Sequence, residues 1–126
     1  MVQADIPQLS GECNTWRETL RQYRDEFTKD KSHLQHVASQ PLSKDQLQQV
    51  EHLHNQFHIQ LINIHDLKQA IKAHDRNLSL EVAVHEGSLS KDTLTNHESL
   101  LEQYQSLGKT LQELREEFSG FLDKAQ

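Results

Sequence analysis

Leu42-Ser43-Lys44-Asp45-Gln46-Leu47 and Leu89-Ser90-Lys91-Asp92-Thr93-Leu94 are two copies of one helix-start signal, and they decide the fold. In the first copy Ser43 can cap the backbone, Gln46 three residues on can complete a capping box, and Leu42 can staple onto Leu47. In the second, Ser90 is the cap, Leu89 and Leu94 form the staple, and Asp92 favours the positive end of the helix dipole. Each copy opens a long run of apolar residues at helical spacing. The chain therefore divides into three helices joined by two short turns.

Upstream of the first signal, Leu9, Cys13, Trp16, Leu20, Tyr23, Phe27, Leu34 and Val37 repeat every three or four residues, as in a heptad. Pro41 ends that helix, because the residue before a proline is steered out of the α region. Downstream of Ser43 the stripe reads Leu47, Val50, Leu53, Phe57, Leu61, Ile64, Leu67 and Ile71. Leu78, Leu80, Val82 and Val84 then alternate as a strand would, but Gly87 is a good helix stop and a lone strand has no neighbour to pair with. The reading favours helix as far as Glu86. The third stripe holds Leu94, His97, Leu100, Leu101, Tyr104, Leu107, Leu111, Leu114, Phe118, Phe121 and Leu122.

Short turns make neighbouring helices antiparallel. The expected architecture is all-α: one domain over 1–126, an antiparallel up-down-up three-helix bundle with long coiled-coil-like helices at about 10–39, 44–86 and 91–124. Folding the chain back at its turns sets Trp16 level with Leu67 and with Gly108–Leu111. Gly108 in mid-stripe is then expected to leave the space that the indole fills, so that Gly108→Leu would lower the melting temperature. A second helix reaching Glu86 outruns the first, which leaves Leu78, Val82, Leu94 and His97 to be covered by the N-terminal arm through Val2, Ile6 and Leu9.

Composition fits this picture. Only 34% of the 126 residues are hydrophobic, as suits helices that bury one stripe and wet the rest. Acidic residues outnumber basic ones in each helical segment, for a net charge of −6. Nucleic acid and anionic membranes are thus poor partners, since phosphate binding needs clustered Lys and Arg. No stretch is apolar enough for a transmembrane helix, and the first residues lack the pattern of a signal peptide. With a single cysteine, Cys13, a cytoplasmic location is expected.

Two features point beyond the core. Ile59 and Ile62 lie roughly opposite Phe57 and Ile64 on a helical wheel, which predicts self-association through the back of the second helix. Nine histidines include five between His52 and His74. His54 and His58 are one turn apart, and Glu51 precedes His54 by three, giving a Glu-x-x-His-x-x-x-His candidate metal site. Acidification toward pH 5 would charge these histidines and carry the net charge from −6 past zero, with an expected change in association or solubility. Cys13 reads as a small core residue. Asp30, Lys68, Asp75 and Arg115 interrupt the stripes and are expected to snorkel or to pair and fix register. Glu113, Glu116 and Glu117 form a wet acidic face.

Val50–His74, reading VEHLHNQFHIQLINIHDLKQAIKAH, and Leu114–Leu122, reading LREEFSGFL, together with Trp16, resemble a group of short helical proteins of Bacteroidota-type bacteria. That resemblance implies a stand-alone bacterial helical domain and no mechanism. The layout is also similar to a spectrin repeat, with a tryptophan in the first helix, an architectural likeness that carries no function.

The sequence thus predicts a non-catalytic module, a homo-oligomer that acts on an unknown protein partner without a cofactor. The alternatives are a metal-binding bundle using Glu51, His54 and His58, and an enzyme whose site forms only between subunits.

Overall fold

The computed structural model describes residues 2–3, 6–84 and 88–125. Three helices account for nearly all of them: α1 (Ile6–Ala38), α2 (Lys44–Val84) and α3 (Lys91–Ala125). They pack as an antiparallel up-down-up bundle, as the paired start signals require. The first box closes as written: Ser43 N–H donates to Gln46 Oε1 at 2.9 Å, and Gln46 N–H donates to Ser43 Oγ at 3.1 Å. At the second, the third helical residue is Thr93, too short to reach back. Glu81 of α2 supplies the missing carboxylate, accepting from Ser90 N–H and from the Thr93 hydroxyl. Glu81 therefore ties the end of α2 to the start of α3.

The helices differ from the sequence reading at their ends. α1 begins at Ile6, about a turn before the expected Ser10, and this extra turn covers much of the overhang: Ile6 and Leu9 pack on the core. Leu78 is fully buried and His97 nearly so, under α1 itself and not under an arm alone. The stop at Glu86 and Gly87 lies outside the described residues, as does the side chain of Val2. The alternating stretch Leu78–Val84 is helical, as the reading favoured. Two very short strands, β1 (Val2–Gln3) and β2 (Ser88–Leu89), pair antiparallel, with Val2 opposite Leu89.

At the centre, Phe27, Phe57 and Phe118, one from each helix, interlock edge to face. Phe27 and Phe57 lie 5.3 Å apart at 84°, and Phe57 and Phe118 5.2 Å apart at 86°. Asp30 and Arg115 do pair, at 3.0 Å, with Glu26 on the same guanidinium at 2.8 Å. Asp75 accepts from Ser10 at 2.8 Å and from Arg17 at 3.4 Å. Lys68 keeps its pKa below the usual lysine value because of partial burial and the nearby Arg24 and Arg21. Leu47 is 46% exposed and so lies off the core stripe that should have begun with it.

Trp16 does not meet Gly108. Its ring stacks on Tyr104 at 5.7 Å and tilts against His97 at 4.9 Å, earlier in α3 than expected. Reflection at the turns misjudges this register because the interlocked phenylalanines and the Asp30–Arg115 pair set it instead. A Cβ added at Gly108 would meet nothing within 4 Å. The glycine there only weakens the helix, so Gly108→Ala should stabilise the fold by about 1 kcal/mol. Urea unfolding measures this directly; a loss of stability would restore the packing role.

Among the described residues, no helix is long and apolar enough to cross a membrane. An open groove of about 700 Å³ lies between α2 and α3. It presents two carboxylates, Asp66 and Glu102, but no thiol or imidazole.

Candidate functional site

One level of the bundle holds a polar chain that runs across all three helices, buried at its two central histidines. Glu12 comes from α1, His74 from α2, and Asn96 and His97 from α3. His97 Nε2 lies 2.7 Å from Glu12 Oε2, His74 Nε2 lies 2.9 Å from His97 Nδ1, and Asn96 Nδ2 lies 3.2 Å from His74 Nδ1. With both rings neutral, a carboxylate that only accepts leaves one assignment for the other roles. His97 donates from Nε2 and accepts at Nδ1. His74 donates from Nε2 and accepts at Nδ1 from the Asn96 amide. Every ring nitrogen of the pair then has a hydrogen-bond partner.

Burial is nearly complete, with His74 at 3% and His97 at 5% exposure. Desolvation, and next the neighbouring His97, holds the His74 pKa below the ordinary histidine value. Cys13 lies beside the pair, also fully buried. Burial, reinforced by the charge of Asp75, pushes its thiol up to about 11. The thiol is thus no nucleophile at neutral pH. One ligand atom from each of Cys13, His74 and His97 lies within 4.8 Å of the other two.

The sequence placed Cys13 and His97 on core stripes but did not bring them together. The sequence reading counts His74 among the histidines that acid would charge, although it continues the heptad of Ile64, Leu67 and Ile71. That spacing was the available signal. The expected ligands sit elsewhere: Glu51 and His58 are exposed and His54 is half-buried. Among the described residues, the group that gathers three possible ligands is the buried one.

The second candidate surface is the back of α2. Ile59 and Ile62 are 44% and 48% exposed, and Leu80 and Val84 are 60% and 72% exposed. With Leu47 they are the large exposed hydrophobic residues of the described chain, and all stand on this one helix. No family model, curated protein or solved structure matches this chain. Function must therefore be argued from these residues alone.

Proposed function

We propose that this chain is a self-associating helical module that works through protein contacts, with the back of α2 as its contact face and a second copy as its partner. The supporting observation is a second heptad seam. Ile59, Ile62, Asp66, Gln69, Ala73, Arg76, Leu80 and Ala83 follow one another at alternating steps of three and four, all exposed. All but Ala83 stand two residues beyond a buried position such as Phe57, Gln60 or Ile64, and so on nearly the opposite side of the helix.

This seam is complementary to itself when reversed. An antiparallel pair of α2 helices centred near residue 71 sets Ile59 against Ala83 and Ile62 against Leu80. It sets Asp66 against Arg76 and Gln69 against Ala73. The apolar positions meet apolar ones, the single acidic position meets the single basic one, and alanine at the centre lets the backbones approach. A two-fold interface needs such a self-complementary patch. Neither Asp66 nor Arg76 has an ion-pair partner among the described residues. The open groove, lacking thiol and imidazole, gives no comparable support to a catalytic reading.

Sedimentation equilibrium tests the proposal through variants. Ile62→Lys, placed twice at the interface by symmetry, should weaken dimerisation at least about tenfold while leaving helicity intact, because Ile62 is half exposed. Asp66→Arg should also weaken it, by setting like charges together, and Asp66→Arg with Arg76→Asp should restore it. A wild-type chain that stays monomeric at high concentration overturns the proposal.

A further inference from the structure

We propose that Cys13, His74 and His97 form a binding site for a zinc-class transition-metal dication, with Glu12 holding His97 in place from behind. This site is independent of the contact face on α2, and it is not the Glu51, His54, His58 set that the sequence suggested. It takes one ligand from each helix: Cys13 from α1, His74 from α2 and His97 from α3.

Four observations point to a metal ion. The ligand atoms lie within 4.8 Å of one another. Tetrahedral zinc, with bonds of about 2.0–2.1 Å to nitrogen and about 2.3 Å to sulfur, holds its ligands about 3.4–3.6 Å apart. The 2.9 Å between the two imidazoles must widen a little, and the thiol already lies within 4.8 Å of both. Next, a thiol and two imidazoles are borderline-to-soft donors, suited to zinc or copper and unsuited to magnesium or calcium.

Metal-bound histidines also need a partner on the far nitrogen. His97 has it in the Glu12 carboxylate at 2.7 Å, the carboxylate–histidine–metal arrangement that fixes ring and tautomer. His74 has Asn96, whose amide can turn to accept a proton from Nδ1. Finally, the charges balance. A thiolate, its proton released to solvent, and the Glu12 carboxylate together offset a dication in a buried site. Trp16 closes one side by packing on the His97 ring.

The test is titration of the chelator-treated full chain with cobalt(II), followed by displacement with zinc. The expected result is one ion per chain, with the thiolate-to-cobalt charge-transfer band and tetrahedral d–d bands, all lost on adding zinc. Cys13→Ala, a small change inside the core, should abolish the charge-transfer band while circular dichroism shows the helices intact. Glu12→Gln, at a half-buried position that does not threaten the fold, should keep the stoichiometry and weaken zinc binding by roughly 10–100-fold. His54→Ala and His58→Ala should change nothing. Absence of the charge-transfer band at micromolar cobalt overturns the proposal. So does binding that survives Cys13→Ala, or binding lost with His54 or His58, which would place the ion on the exposed face.

Discussion

Phe57→Ala should lower the free energy of unfolding by about 3–5 kcal/mol, the range for removing a large aromatic ring from a packed core. Phe57 is fully buried, on the middle helix, and touches Phe27 and Phe118 edge to face. Its loss removes two favourable ring contacts and leaves a void that three long helices cannot close without shifting register. For a domain of this size the melting temperature should fall by roughly 10–20 °C. Phe57→Leu, which refills much of the space, should cost less than half as much. Thermal and denaturant unfolding measure both, and a loss below about 1 kcal/mol for Phe57→Ala would mean that the interlock does not hold the helices together.

His97→Leu should cost about 2–3 kcal/mol in metal-free protein, chiefly because it strands a neighbour. Leucine nearly fills the imidazole's volume, so the cavity term is small. The His74 Nε2–H, however, loses its acceptor inside the core, and an unsatisfied buried donor costs about 1–3 kcal/mol. His74→Leu with His97→Leu removes both partners, so the double variant should be more stable than the sum of the single losses. Strict additivity would contradict the hydrogen-bonded pair.

The same pair predicts a pH dependence with a definite sign. The folded-state pKa of His74 is lowered, so below pH about 6.5 the unfolded chain takes up a proton that the folded chain refuses. Stability should therefore fall as pH drops from about 6.5 toward the lowered value, and stay level from about 6.5 up to about 9, above which the raised Cys13 thiol counts against folding. The groups facing His74 are His97 and Asn96 from α3 and the Cys13 thiol from α1, with Asp75 and Glu81 from its own helix. The two carboxylates oppose the shift without cancelling it.

The helices were legible because their signals are local. A serine cap and its glutamine three residues on, or a leucine every seven, need no knowledge of the rest of the chain. Phe27, Phe57 and Phe118 could each be assigned to a stripe, but their meeting depends on register between helices. Register was the weak point: reflection at the turns carried Trp16 to Gly108, whereas α1 contacts α3 residues 85 positions later, as in Glu12–His97 and Asp30–Arg115. The polar chain of Glu12, His97 and His74 shares that fate, since it exists only at the correct offset. The back seam was legible only at Ile59 and Ile62, for a different reason. Two heptads two residues apart overlap on one helix, so Phe57–Leu67 looked apolar nearly all round, and Leu80 and Val84 fell into an apparent strand alternation. The repeat was present in the letters, masked by its neighbour.

The central claim, that two copies join back to back through an antiparallel, two-fold pairing of α2, is tested most directly by distances between spin labels on that helix. Single labels at Gln69→Cys and at Asn55→Cys, each in a Cys13→Ala background, separate the possible arrangements. Antiparallel pairing centred near residue 71 offsets the two Gln69 labels by only about 6 Å along the axis and the two Asn55 labels by about 48 Å. Short distances at both positions would mean parallel pairing, and no dipolar coupling at either would mean no pairing; each contradicts the account.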